Sequence, residues 1–245
     1  IDVAFDNTNF IRASISEVET TVIIAFILVV TIIFIFLRNW RVTLIPAFVI
    51  PISLIGIFFV MFLLGFSINV LSMLAVVLAV GLVVDDAIVV SENIFQKIED
   101  GMDPEEASIT GSKEIFFAVV STTITLVAIF FPIVFLEGMT GRLFREFSIV
   151  ISGAVIISSF VALTFVPMLS SKLLVRRQKK SPLYEKTEVF FDGMNRFYDR
   201  TLQSFLHHKW LVFPIIILSG ILIVIFWNII PEEMAPLEDR SQITI

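Results

Sequence analysis

The stretch INVLSMLAVVLAVGLVVDDAIVV, residues 68–90, decides the fold. A bilayer's hydrocarbon core is ~30 Å thick, and an α-helix of about 20 apolar residues crosses it. In lipid every backbone N–H and C=O must bond internally, so a run of this kind is a helix. Near its end stand two adjacent carboxylates, Asp85 and Asp86, flanked by Val83, Val84, Ile88, Val89 and Val90. That flanking argues against a loop. An aspartate at a helix centre costs ~2.5–3.5 kcal/mol on insertion, so an acid retained inside a span marks a functional site by default.

Working outward, comparable runs occupy Thr20–Leu37, Val42–Leu64, Phe116–Leu136, Phe147–Leu169 and Trp210–Ile230. Hydrophobic residues make up 57% of the 245, and the mean hydropathy is +0.97. Soluble domains are usually ~45–50% apolar. The expected fold class is an all-α polytopic membrane protein, with six transmembrane helices and an amphipathic helix on the cytoplasmic surface. The net charge of −6 says little, because charges on two sides of a bilayer do not pool. Cysteine is absent, which excludes disulfides, thiol nucleophiles and Cys metal sites. The opening IDVAFDNTNF has no basic n-region, and the end DRSQITI reads like the start of a strand, so we expect a piece of a longer polypeptide.

Lys and Arg orient the spans. Arg38, Arg41, Lys97, Lys113, Lys172, Arg176, Arg177, Lys179, Lys180, Lys186, Arg196, Arg200 and Lys209 lie on one side, against Arg12, Arg142, Arg145 and Arg240 on the other. The richer side is cytoplasmic by the positive-inside rule. Short turns, LRNWR and GFSIN, make the first three spans antiparallel neighbours. The expected organisation is the end of an extracytoplasmic domain at 1–19, five helices over 20–175, and a basic linker with a surface helix over 176–209. The sixth helix follows at 210–230, and a second extracytoplasmic domain starts at 231–245. Pro46 and Pro51 should bend the second span, and Pro132 the fourth.

Two cytoplasmic segments carry their own signals. In GMDPEEAS, Asp103 stands as an N-cap with Pro104 at the first helical position and Glu106 three residues beyond the cap. From Pro182 onward, Phe190, Met194, Phe197, Tyr198, Thr201, Leu202 and Phe205 fall at helical spacing, opposite Glu188, Asp192, Asn195, Arg196, Asp199 and Arg200. This amphipathic helix is expected to lie along the inner membrane surface. The run RRQKK, Arg176–Lys180, reads as a flank facing anionic lipid, not as a nucleic-acid site.

Neighbouring helical residues point about 100° apart, so Asp85 and Asp86 open two adjacent stripes. Asp85 continues through Gly81 and Glu92, and Asp86 through Leu82 and Asn93. Gly81 removes a side chain one turn from Asp85, giving access to another helix or to water. Burial disfavours a carboxylate's charge and a nearby carboxylate disfavours it again, and two such groups titrate as a coupled pair. No Lys or Arg lies inside the six spans, so a counter-cation must come from outside this chain. A pair poised in this way can load a proton in one conformation and release it in another. Ser121, Thr122, Thr123 and Thr125 lie at similar depth in the fourth span and are candidates for a proton relay, though such residues are also common helix–helix contacts. Glu92, His207 and His208 read as interfacial residues, and no metal site or catalytic group is expected.

These same residues carry a family resemblance. GLVVDDAIVVSENI resembles the fourth transmembrane helix of resistance–nodulation–division efflux pumps of the AcrB type. LRNWRVTLIPAFVIPISLIGIF, GFSINVLSMLAVVLAVGL and FFPIVFLEGMTGRLFREFSIVISGAVIISSFVALTFVPML resemble the surrounding helices, so the likeness covers nearly the whole chain. The resemblance implies that these spans are helices two to seven of twelve. It implies an inner-membrane homotrimer that exchanges protons for drugs and amphiphiles, working with a periplasmic adaptor and an outer-membrane channel. No cofactor beyond the proton-motive force is implied. On this likeness Asp85 and Asp86 bind the proton beside a lysine from the tenth helix. The likeness places substrate-binding residues in large periplasmic domains, of which this sequence holds only the edges, 1–19 and 231–245.

Alternatives share these helices: a heavy-metal exporter, or a module in which proton flow assists protein or lipid export. The Asp doublet favours the drug and amphiphile branch over the metal-exporting one. An intramembrane aspartyl protease needs two carboxylates facing each other from different helices, which this chain lacks. A passive channel needs a polar stripe along several spans, and one acidic site is present instead.

Overall fold

A computed structural model describes residues 8–175 and 182–230. The chain divides into two units, Ile1–Lys179 and Lys180–Ile245. All regular structure among the described residues is helical. Six helices are long and apolar enough to cross a membrane, so the protein is a multi-pass membrane protein as expected.

The first unit holds α1 (Thr8–Leu37), α2 (Trp40–Leu63), α3 (Val70–Glu99), α4 (Pro104–Phe130) and α5 (Gly138–Leu173). Helix α3 is central and packs against all four others, most extensively α5. Its fully buried residues include Ala75, Val76, Ala79, Val83, Ala87, Val90 and Ile94. Small and β-branched side chains at this spacing let the helices approach closely, since packing rather than hydrophobicity drives association in lipid.

Local chemistry sets the ends of α3. Asn69 caps its start: the side chain accepts from Ser72 N–H at 2.8 Å, and Ser72 Oγ accepts from Asn69 N–H at 2.9 Å. This reciprocal box puts the helix start at Val70, just after the expected Ile68. At the other end α3 runs on to Glu99, well past the expected Val90, because Ile94 and Ile98 continue its buried face. It closes at Gly101 (φ 103°), where Gly101 N–H donates to Ile98 O and Met102 N–H to Lys97 O. Only glycine adopts that left-handed conformation without strain.

Asp103 caps α4, its carboxylate accepting from Glu105 N–H at 3.1 Å. Pro132 does not bend α4 but ends it, and the chain tightens into a 3₁₀ turn over Phe131–Phe135. Pro46 and Pro51 sit inside α2, which stays helical through both. The segment with Arg142 and Arg145 lies within α5, which begins at Gly138, earlier than the expected Phe147. Helix α1 likewise begins at Thr8, before the expected Thr20.

The second unit holds α6 (Pro182–His207), a short 3₁₀ turn at Lys209–Leu211, and α7 (Val212–Ile229). On α6, Met194, Phe197, Tyr198, Leu202 and Phe205 are exposed, so this part of the apolar face expected from spacing is uncovered among the described residues of its unit. The side chains of Glu188 and Phe190, the basic run at 176–180, and the segments 1–7 and 231–245 lie outside the described residues.

Candidate functional site

Asp85 and Asp86 stand midway along α3 and part company as helical geometry requires. Asp85 is exposed, and so are Leu74, Leu78, Gly81, Val89 and Glu92. These positions form one stripe of α3 that α1, α2, α4 and α5 leave uncovered. A Cβ added at Gly81 would meet nothing within 4 Å. Asp85 makes no hydrogen bond among the described residues, so the central helix of the unit presents an uncompensated carboxylate on its open side.

Asp86 is half-buried and turns towards α4. Thr122 Oγ1 lies 3.4 Å from Asp86 Oδ1 and 2.8 Å from Val119 O. The hydroxyl has one proton, so its short bond is to its own helix and the reach to Asp86 is the longer alternative. Thr123 and Thr125 point their hydroxyls back to Val119 O and Ser121 O, at 2.7 and 2.8 Å. Ser121 is exposed. Of the four hydroxyls singled out from sequence, α4 therefore brings Thr122 alone to the acidic pair.

A sequence model of the AcrB/AcrD/AcrF family matches residues 1–245, the acidic pair included. The chain belongs to this family. It is 44% identical over 246 residues to the multidrug resistance protein MdtC of Pectobacterium atrosepticum, an alignment covering 99% of this chain and 24% of that protein. It is 43% identical over 247 residues to MdtC of Pectobacterium carotovorum subsp. carotovorum, with the same coverage of both chains. The chain thus spans about a quarter of the length of the curated relatives it matches.

In this family member, polar ties to α4 and α5 hold α3 around the pair. Ser158, fully buried on α5, donates to Val83 O at 2.8 Å, two residues before Asp85. At the N-terminal end of α3, Asn69 Nδ2 donates to Glu146 Oε2 on α5 at 2.6 Å. At its C-terminal end Asn93 Nδ2 donates to Gly111 O at 2.9 Å, and Lys97 Nζ to Glu114 Oε1 at 2.7 Å. A signal existed for Asn69, which stands three residues before a hydroxyl at the start of an apolar run. Isolated Ser, Lys and Glu residues carry no comparable signal.

Proposed function

We propose that this chain is the proton-binding part of an inner-membrane pump that exports drugs and other amphiphiles in exchange for protons. Asp85 and Asp86 bind the proton in this reading. The observation that supports it is the placement of adjacent carboxylates midway along the central helix, with one of them on a stripe that α1, α2, α4 and α5 leave open. A cation presented to that stripe by another part of the full protein would hold the pair ionised. Protonation would release the cation and change the packing, which is a coupling of charge to helix position.

The export of drugs is supported by the two relatives, each named a multidrug resistance protein. Family membership supports assembly as a homotrimer with a periplasmic adaptor and an outer-membrane channel. Thr122 is the candidate to pass a proton to or from Asp86, since it alone among the four hydroxyls reaches that carboxylate.

The test uses the full-length protein with Asp85→Asn and Asp86→Asn, each alone. Drug accumulation in cells and proton uptake in vesicles are measured together. Both variants should accumulate drug like a pump-less strain and take up no substrate-driven protons. Normal export by either variant would remove that residue from the proton site.

A further inference from the structure

We infer that Asn93, Lys97 and Glu114, closing on Gly111, form a positioning clasp that sets the register of α4 against α3 and thereby holds Thr122 at Asp86. The inference rests on the proton-site reading above and extends it to residues at the cytoplasmic end of the same two helices.

The contact point is close. A Cβ on Gly111 would lie 3.0 Å from Ile94 Cγ1 and 3.3 Å from Ile94 Cα, so α4 presents bare backbone to α3 there. Next to it, Asn93 Nδ2 donates to the Gly111 carbonyl at 2.9 Å and reaches Glu114 Oε2 at 3.4 Å. Lys97 pairs with Glu114 Oε1 at 2.7 Å. An ion pair this near the surface contributes little stability by itself, and Glu114 acts here by bridging Lys97 and Asn93, which keeps the Asn93 amide on the Gly111 carbonyl. A side chain bonded to the backbone of the opposite helix is different, because it fixes axial register as well as distance.

The geometry links the clasp to the site. Asn93 lies seven residues from Asp86 on α3, and Thr122 eight residues from Glu114 on the antiparallel α4, about 10–12 Å in each case. The clasp and the Asp86–Thr122 contact are therefore two rungs of one ladder. That contact is 3.4 Å long, so it has almost no slack. A slip of one residue is about 1.5 Å, which carries Thr122 out of range. The other charged groups nearby, Glu92 and Lys113, are exposed on the same two helices, and Asp85 is on the open stripe.

Full-length protein carrying Glu114→Ala, Glu114→Gln, Thr122→Val or the Glu114→Ala/Thr122→Val pair is compared in everted vesicles, at matched amounts of pump. Substrate-driven proton flux is recorded over a pH series. Glu114→Ala should lower flux about two- to tenfold and move the pH profile in the same direction as Thr122→Val. The double variant should match Thr122→Val alone. Glu114→Gln keeps the shape and an acceptor for Lys97, and should keep the wild-type profile. A wild-type profile for Glu114→Ala, full additivity in the double variant, or a Gln variant as shifted as the Ala variant would each overturn the clasp. Asp86→Asn separates the two ideas. Lost flux there with an unshifted Glu114→Ala profile sinks the clasp alone, whereas normal flux sinks the proton-site reading and the clasp with it.

Discussion

Thr122 reaches Asp86 across the α3–α4 seam at 3.4 Å, while Asp85, one residue away on the same helix, faces the side of α3 that no helix of its unit covers. Two chemically identical neighbours thus have different surroundings, set by a rotation of about 100°.

That difference bears on the hydroxyls. Thr122→Val should reduce substrate-driven proton flux by about two- to tenfold, the equivalent of one hydrogen bond of ~0.5–1.5 kcal/mol. Thr123→Val and Thr125→Val should leave flux close to wild type, because those hydroxyls bond their own helix. Vesicle flux measurements on the three single variants check this, and equal losses in all three would contradict it.

Gly111 and Gly81 should respond oppositely to enlargement. Gly111→Val forces a side chain against Ile94 and is expected to destabilise the protein by ~1–3 kcal/mol through overpacking. Thermal unfolding of the detergent-solubilised full-length protein should report it. Gly81→Ala meets nothing within its own unit, so any loss of export at unchanged unfolding temperature would come from whatever covers the open stripe.

Ser158→Ala removes a buried bond to Val83 O, a carbonyl that belongs to the helical ladder of α3. The acceptor keeps its helical partner, so the expected cost is modest, ~0.5–1 kcal/mol. A measured loss several times larger would mean that the α3–α5 contact rearranges.

Asn69→Ala deletes both the cap of α3 and the bond to Glu146, and should destabilise by about 1–2 kcal/mol. Asn69→Asp keeps a capping oxygen but sets a carboxylate against Glu146. It should therefore be less stable than Asn69→Ser, which caps without the repulsion. Denaturation of the three variants side by side gives the order.

Cysteine is absent from these 245 residues, so in full-length protein with any cysteines elsewhere replaced, single introduced cysteines report cleanly. A cysteine at Leu78 or Val89, on the open stripe, should crosslink to partner cysteines placed in the remainder of the full protein. One at Phe62, exposed on α2, should label with lipid-soluble reagents instead.

Much of this protein was legible in its residues. Six apolar runs dictated six helices, because lipid offers a backbone no other way to satisfy its polar groups. The period of the helix dictated that Asp85 and Asp86 would open different stripes, with Gly81 and Glu92 on one and Asn93 on the other. Asp103 and Pro104 announced the start of α4. SENIFQKIE looks polar and suggests an earlier end for α3, but Ile94 and Ile98 continue its buried face.

Tertiary structure alone decided the rest. Ser121, Thr122, Thr123 and Thr125 cover most of a helical turn, and sequence spacing cannot say which of them faces α3. That depends on the rotation and register of α4, which are fixed about 12 Å away where Gly111 admits Ile94 and Asn93 bonds the opposite backbone. The sequence alone determined that two acids sit inside an apolar run, with no Lys or Arg inside any of the six runs. Packing determined that one of them meets Thr122 and the other an open face, because a helix's rotation about its axis is set by its neighbours and not by its own period.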